Sequence, residues 1–215
     1  MTLEIPTYNT RFLARCRLPV KIVRAESPTL FWVQLQNSQE DFKEMLENLK
    51  RRMMRRSQNL RLRHDNLSLD EIVAVQEGRN WQRGMVTQIR GDATVVITLK
   101  DWGRTIERPC FETFILANQF RELEWQAIPC ALAYTGPDPS RSMWPRRTKE
   151  LTRFLIDRRD GWISIVGNLR GEAALVRLEI KNECGTEIKS LKNILIDLGH
   201  AKHSEKILEL VHPSP

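Results

Sequence analysis

The chain has 215 residues, of which 41% are hydrophobic and 28% charged, and its 34 basic and 27 acidic residues give a formal net charge of +7. This composition is typical of a globular protein with one large domain or two small ones. No run of about 18 apolar residues occurs, which excludes a membrane-spanning helix, and the N-terminal segment lacks the apolar core of a secretory signal.

The cysteines and the catalytic motifs give no support to a metal site or an enzyme. Cys16, Cys110, Cys130 and Cys184 lie far apart and show no metal-ligand spacing. Buried thiols are therefore expected, without disulfides, metal or any other cofactor. No phosphate-binding loop and no nucleophile motif is present either, so we expect a protein that is not an enzyme.

Two strands and a helix are predicted first along the chain. Residues 20–24 and 30–36 are rich in Val, Ile, Phe and Trp, and residues 26–29 supply a turn between them. A helix should begin after the N-cap Ser38, because apolar residues then recur at helical spacing. These residues are Phe42, Met45, Leu46, Leu49 and Met53.

The C-terminal half of this helix and the residues after it are strongly basic. Between residues 50 and 63 there is no acid, and the seven cations are Lys50, Arg51, Arg52, Arg55, Arg56, Arg61 and Arg63. Cations near a helix C-terminus complement the helix dipole and cover a solvated face. The same charges would also suit a polyanion or an acidic partner, and the sequence leaves both interpretations open.

Residues 69–116 predict a compact all-β unit. Short β-branched runs alternate with turn-forming residues at hairpin spacing. Closing four or five such strands into a small barrel would remove exposed edges, and Trp81 would fill its core. The segment has six basic and seven acidic residues, so its ligand need not be a phosphate.

The remaining chain predicts a strand within 126–136, a helix within 144–160, a hairpin from 162 to 182, and a final helix that ends near Gly199. We expect Leu151, Phe154 and Leu155 to share one helix face. We expect Trp32, Trp125 and Trp162 to pack in a core. Neither chain end has enough strands for a core of its own. The simplest arrangement is one β-rich domain built from both ends, with the small barrel inserted between them.

The ordered motifs along residues 18–205 resemble the extended Tudor domain. They include "VRAESPTLFWVQL", the long helix, "WQRGMV", "VVITLKDWG", "WPRRTKELTRFL" and "LIDLGHA". The resemblance implies a mainly β fold with α-helices (α+β). A small Tudor β-barrel at 66–116 would be inserted into a staphylococcal-nuclease-like, OB-type β-barrel formed by 18–37 and 117–205, with a bridging helix and linker at 38–65.

The resemblance also implies a ligand. In that family three or four aromatic rings and an Asn form a cage around a symmetrically dimethylated arginine, which is held by cation–π attraction and a hydrogen bond. The implied partners are N-terminal tails of Piwi-clade Argonaute proteins in small-RNA (piRNA) silencing. The implied location is a cytoplasmic, perinuclear ribonucleoprotein granule, the nuage, and the chain would be one fragment of a longer scaffold.

The cage is incomplete in this sequence. The positions that match the four rings are Gln76, Gln82, Leu99 and Trp102, and the position of the Asn is Arg104. Only Trp102 is aromatic, and a cation at position 104 would repel a methylarginine. A single ring contributes about 0.5–2 kcal/mol, so we predict that the barrel does not read arginine methylation.

We therefore predict a protein-interaction module that binds a Piwi-clade Argonaute tail, or another silencing-granule protein, independently of methylation. The peptide would lie in the cleft between the two barrels, against Gln76, Gln82, Leu99, Trp102 and Arg104. Glu77 and Asp101 are candidate acidic partners. For Asp101 the alternative is local hydrogen bonding in its turn, and for Trp102 it is packing at the rim.

Two other functions are weighed. Single-stranded RNA could bind the OB-type domain and the basic helix through Lys50, Arg51, Arg52, Arg55 and Arg56, although aromatic residues are absent from that run. A nuclease is not expected, because no carboxylates cluster in the OB-type segments. Self-association through other regions stays open, and no membrane partner is expected.

Overall fold

The structure is a computed structural model that describes residues 4–13, 16–62, 67–169, 173–181 and 186–205. The expectations for Arg63 and Cys184 lie outside these residues. The chain divides into two compact units. We call residues 4–8 and 38–126 the first unit, and residues 9–37 and 127–205 the second unit.

The helices and strands follow the chain in an order close to the predicted one. They are β1 (Arg17–Ser27), β2 (Leu30–Leu35), α1 (Gln39–Leu60), β3 (Ile72–Glu77), β4 (Asn80–Ile89), β5 (Thr94–Leu99), β6 (Arg104–Pro109), β7 (Thr113–Ile115), β8 (Ile128–Leu132), β9 (Thr135–Gly136), α2 (Arg146–Ile156), β10 (Asp160–Asn168), β11 (Ala174–Lys181), β12 (Ile188–Ser190), α3 (Leu191–Asp197) and β13 (Lys202–His203).

The second unit is built around a closed barrel. Its strands follow the order β10–β1–β2–β8–β11, and β11 pairs back onto β10. Every pair in this ring is antiparallel except β8 with β11. Helix α2 packs against β1. This mixed five-stranded ring is the predicted OB-type barrel, and it is assembled from both ends of the chain.

Helix α2 buries a different face from the one predicted. Thr148, Thr152 and Ile156 are buried, whereas Phe154 is 65% exposed. A buried threonine is tolerated here because the Thr152 hydroxyl donates to the backbone oxygen of Thr148 at 2.7 Å. Apolar spacing therefore gave the wrong face, since two of the three inward residues are threonines.

Two tryptophans expected in a core lie at the surface of the second unit. Trp32 and Trp162 are half-buried. The Arg24 guanidinium lies 5.6 Å from the Trp32 ring, and the Arg17 guanidinium lies 4.7 Å from the Trp162 ring. Basic side chains cover these rings in place of a core. Trp81 and Trp125 are buried, as predicted.

The first unit contains the small barrel, whose strands follow the order β6–β5–β4–β3–β7. Side chains of β3 alternate between two apolar clusters, as the two-residue period of a strand requires. Val73 and Val75 belong to a cluster with Ile97 of β5. Ile72 and Ala74 belong to a second cluster with Leu49 and Met53 of α1, Trp81 and Phe114. The barrel thus packs one face onto the long helix.

The observed boundary of the first unit differs from the predicted one. The sequence assigned residues 117–126 to the OB-type domain, and in the structure they group with the small barrel. Phe120 and Trp125 are buried in the same cluster as Met53 and Trp81. The segment therefore adds apolar contacts to the small barrel before the chain returns to the second unit.

The cysteines only partly match the expectation of buried thiols. Cys110 and Cys130 are buried, and Cys16 is exposed. Burial raises the pKa of the Cys130 thiol well above its usual range and raises that of Cys110 as well, so neither is poised as a nucleophile. Among the described residues no helix is long and apolar enough to cross a membrane.

Candidate functional site

Two hairpin turns meet at one end of the small barrel. The first joins β3 to β4 around Gly78, and the second joins β5 to β6 around Gly103. Both glycines have positive φ angles, +58° and +62°, which a glycine adopts without strain. We call the end formed by these turns the barrel mouth, because it carries most of the predicted contact residues.

Asp101 lies beneath the barrel mouth and pairs with Arg83. The Arg83 Nε and Nη2 donate to the two carboxylate oxygens at 2.9 and 2.8 Å, and neither side chain is exposed. The backbone N–H of Gln126 donates to the same carboxylate at 3.0 Å. Asp101 is therefore neutralised inside the protein.

Arg83 uses all five of its N–H donors. Besides the two bonds to Asp101, it donates to the backbone oxygens of Phe120, Leu123 and Glu124 at 2.7–2.9 Å. Its guanidinium also lies 5.0 Å from the Trp125 ring. A guanidinium with every donor satisfied can be buried. Arg83 thus ties residues 120–126 to the small barrel.

Two of the predicted peptide contacts are wrong. Leu99 and Asp101 have no exposed surface. Leu99 points into the apolar cluster of the barrel, and Asp101 is occupied by Arg83 and Gln126. The sequence analysis placed Asp101 in a locally bonded turn as the alternative. Its observed partners lie 18 and 25 residues away along the chain.

Trp102 is the aromatic ring at the barrel mouth, and it is held in place from two sides. Its Nε1 donates to the Gln82 side-chain oxygen at 2.8 Å. The buried Phe42 ring of α1 lies 5.7 Å from it at an angle of 52°. Gln82 is only 5% exposed, so it can act on a ligand mainly through the orientation of Trp102. The half-buried Trp102 ring keeps part of its surface open to solvent.

Glu77 and Arg104 form a two-pronged ion pair across the barrel mouth. Arg104 Nη1 donates to Glu77 Oε1 at 2.7 Å, and Nη2 donates to Oε2. The side chains keep 24% and 37% of their surface exposed. Gln76 is exposed beside them and donates to the backbone oxygen of Gly78 at 3.2 Å. The mouth therefore already holds one guanidinium, which belongs to the protein itself.

This arrangement neutralises the cation that the sequence analysis singled out. Arg104 remains charged, but its charge is paired with that of Glu77 at hydrogen-bond distance. A carboxylate that accepts a guanidinium in fork geometry, beside one fixed indole ring, suits an arginine side chain. The acidic role predicted for Glu77 therefore has a suitable geometry, although Arg104 occupies the carboxylate.

The basic cluster lies on a separate surface of the first unit. Lys50, Arg51, Arg55 and Arg56 are exposed on α1, and Arg52 is half-buried. Helix geometry places Arg55 about 20 Å along the axis from Phe42, which contacts Trp102, because each residue adds about 1.5 Å. The five cations are therefore not brought to the barrel mouth.

No metal site emerges from the described ranges, in which no three His, Cys, Asp or Glu residues group suitably. The family comparison gives a clear result. The model of the Tudor domain family matches residues 17–134, more than half of the chain. The chain belongs to the Tudor domain family. Tudor domains are binding modules, and Gln76, Gln82, Leu99, Trp102 and Arg104 lie within the matched residues.

Individual relatives extend this match over most of the Tudor chain. It is 27% identical to mouse RING finger protein 17 over 208 residues, which cover 91% of this chain and 12% of that protein. The chain thus spans about an eighth of that curated relative. Among solved structures, the human TDRD1 extended Tudor domain has a TM-score of 0.77 at 22% identity, with 94% of this chain and 95% of that one covered.

Two further structures show the same extended Tudor fold. The extended Tudor domain TD3 of mouse TDRD1 has a TM-score of 0.79 at 16% identity, covering 94% of this chain and all of that one. The Papi extended Tudor domain of Drosophila melanogaster has a TM-score of 0.73 at 17% identity, covering 88% of this chain and all of that one. The human TDRD1 structure holds a symmetrically dimethylated peptide, the mouse TDRD1 structure holds a MILI peptide that contains dimethylarginine, and the Papi structure holds a Piwi N-terminal peptide.

Proposed function

We propose that this Tudor chain is a non-catalytic interaction module of a small-RNA silencing scaffold. It binds an arginine-containing segment, such as the N-terminal tail of a Piwi-clade Argonaute protein, without requiring arginine methylation. The observation that carries this proposal is the Glu77 carboxylate, which holds a guanidinium in fork geometry at the barrel mouth. The peptides present in the related structures support the class of partner.

The chemistry of the barrel mouth favours an unmodified arginine at least as much as a methylated one. Methylation keeps the charge of arginine but removes N–H donors that a carboxylate fork uses. A cage with several rings compensates for these lost bonds with cation–π contacts, whereas this mouth has the Trp102 ring alone at the cage positions. One exposed ring contributes about 0.5–1 kcal/mol, so methylation has little to gain here.

An incoming arginine replaces Arg104 at Glu77. Exchange of one guanidinium for another changes the carboxylate pairing little, so the net affinity comes from the contacts that the rest of the peptide adds. Gln76 offers an exposed amide that can donate to and accept from a peptide backbone. Trp102 offers the open part of its ring.

A peptide titration tests this proposal. A labelled arginine-rich Piwi-clade tail peptide, unmodified and symmetrically dimethylated, is titrated with the chain by fluorescence anisotropy. We expect the two affinities to agree within about threefold, and Trp102→Ala and Glu77→Gln each to weaken binding about fivefold or more.

The control for Glu77→Gln is Glu107→Gln. Glu107 forms the same kind of exposed two-pronged pair with Arg90, at 2.8 and 3.1 Å, and this pair joins the end of β4 to β6 away from the mouth. Glu107→Gln should leave peptide binding unchanged. A strong preference for the dimethylated peptide would refute methylation independence, and an equal loss in Glu107→Gln would refute the assigned site.

RNA binding by α1 is a second candidate function, supported by the exposure of Lys50, Arg51, Arg55 and Arg56 along one helix. A polyanion bound there would lose affinity steeply as salt rises, because phosphate contacts release counterions. Replacement of both Arg55 and Arg56 by Gln should then weaken RNA binding and spare peptide binding. An unchanged RNA affinity in this double variant would exclude the helix.

A further inference from the structure

A cavity in the second unit has features that the barrel mouth does not explain. It has a volume of about 410 Å³ and opens beside Tyr134, in the turn between β8 and β9. Its floor is apolar, and Leu132, Ala133 and Val176 line it. Arg177, Lys192 and His203 stand around it. We call this cavity the Tyr134 pocket.

Tyr134 has an unfavourable backbone conformation that brings its ring to the pocket. Its φ angle is +55°, a left-handed conformation that glycine or asparagine adopts far more easily than a tyrosine. The side chain is a large aromatic that remains 40% exposed. The His203 ring lies 6.1 Å from it at an interplanar angle of 11°. The fold thus presents a fixed aromatic face to solvent.

Positive charge is gathered around this ring. The Arg177 guanidinium lies 6.0 Å and the Lys192 ammonium 5.6 Å from the Tyr134 ring centroid. The Lys192 ammonium also lies 2.9 Å from His203 Nδ1, so it donates to an imidazole nitrogen that carries no proton. Glu205 is the acidic residue that lines the pocket, against two permanent cations.

We propose that the Tyr134 pocket binds a nucleotide unit, with the base stacked on Tyr134 and the phosphate held by Arg177 and Lys192. An exposed aromatic face beside cations is the combination that binds bases and phosphates of single strands without sequence preference. The volume lies in the range of small-ligand pockets. This proposal does not rest on peptide binding at the barrel mouth, because every residue it uses belongs to the second unit.

A free mononucleotide and one unit of a single-stranded RNA present the same chemistry. The two sources differ in how binding depends on length and salt. A strand adds phosphate contacts beyond the pocket, which steepen the salt dependence, whereas a mononucleotide can bring only its own phosphate. Both are therefore used as probes.

The test uses the whole chain with fluorescein-labelled oligouridylate of about 12 nucleotides, a length in the range of single OB-type sites, and with uridine 5′-monophosphate as competitor. Tyr134→Asn removes the ring but keeps a residue that tolerates positive φ, so loss of binding cannot be attributed to backbone strain. We expect it to weaken oligonucleotide binding about tenfold. Arg177→Gln should weaken binding and reduce the salt slope by about 0.7, the value for one phosphate contact on a single strand.

Three further variants keep the proposal falsifiable. Glu205→Gln removes the opposing carboxylate, so it should tighten binding. Lys189→Gln removes a cation of β12 that pairs with Glu187 at 3.0 Å and does not line the pocket, so it should have little effect. Trp102→Ala alters the barrel mouth and should leave oligonucleotide binding unchanged.

The outcomes separate the alternatives. Competition by the mononucleotide, with losses in Tyr134→Asn and Arg177→Gln, supports a single-nucleotide pocket. Binding of the oligonucleotide alone, with the same losses, supports a single strand. The proposal is overturned if neither probe binds, if Tyr134→Asn binds as the native chain does, or if a polyglutamate peptide binds equally well.

Discussion

At the scale of single residues, this Tudor chain contains two arginine–carboxylate pairs with opposite consequences. Arg83 and Asp101 are fully buried, whereas Arg104 and Glu77 remain partly exposed at the barrel mouth. A buried charge that loses its partner is strongly destabilised, and a partly exposed one is compensated by water. The first pair therefore stabilises the fold, and the second is available for binding.

The buried pair gives a stability prediction. Asp101→Asn removes the charge that compensates Arg83 but nearly preserves the volume, so it should lower the free energy of unfolding by about 3–5 kcal/mol. Urea denaturation, followed by tryptophan fluorescence, measures the change. Glu107→Gln breaks an exposed pair and should cost at most about 1 kcal/mol. Equal losses in the two variants would contradict the role assigned to Asp101.

The exposed pair gives a binding prediction. Arg104→Gln removes the internal guanidinium and leaves the Glu77 carboxylate open to a peptide arginine. Binding of the unmodified arginine-rich peptide should tighten about threefold to tenfold, because the peptide no longer displaces an ion pair. Anisotropy titration checks this, with Arg90→Gln as the matched control for the remote pair. Weaker binding in Arg104→Gln would show that Arg104 itself contacts the peptide.

At the scale of elements, the sequence predicted the strands and helices better than it predicted which faces they bury. Alternation in β3 and helical spacing in α1 correctly identified Val73, Val75, Leu49 and Met53 as core residues. The face of α2 was wrong because Thr148 and Thr152 are buried polar residues, whose hydroxyl bonds a hydropathy pattern cannot show.

Barrel closure in the second unit depends on close approach between β10 and β11. A Cβ atom on Gly161 would lie 2.7 Å from the backbone oxygen of Glu179, whereas one on Gly167 in the same strand would meet Leu175 atoms only at 3.8–3.9 Å. Gly161→Ala should therefore destabilise the chain by about 1–3 kcal/mol. Gly167→Ala should be neutral or slightly stabilising. Thermal unfolding of both variants measures the difference, and similar melting temperatures would refute the packing argument.

At the scale of the whole molecule, the sequence predicted a discontinuous architecture but not the pairs within it. Both ends of the chain were assigned to one β-rich domain, and the ring that includes β1, β10 and β11 has this composition. Glu77 and Arg104 lie 27 residues apart, and Arg83 and Asp101 lie 18 apart. Such pairs are set by the register of several hairpins together, which local patterns do not specify.

The net charge of +7 predicts different salt responses for the two proposed ligands. An arginine-rich peptide carries the same sign as the protein, so salt screens a long-range repulsion as well as the local attraction to Glu77. Its affinity should change less than about threefold between about 50 and 200 mM salt. Oligonucleotide affinity should fall about tenfold or more over the same range, because even two or three phosphate contacts release counterions. Parallel anisotropy titrations measure both slopes. An equally steep loss for peptide and oligonucleotide would show that the peptide binds through general charge attraction rather than at the barrel mouth.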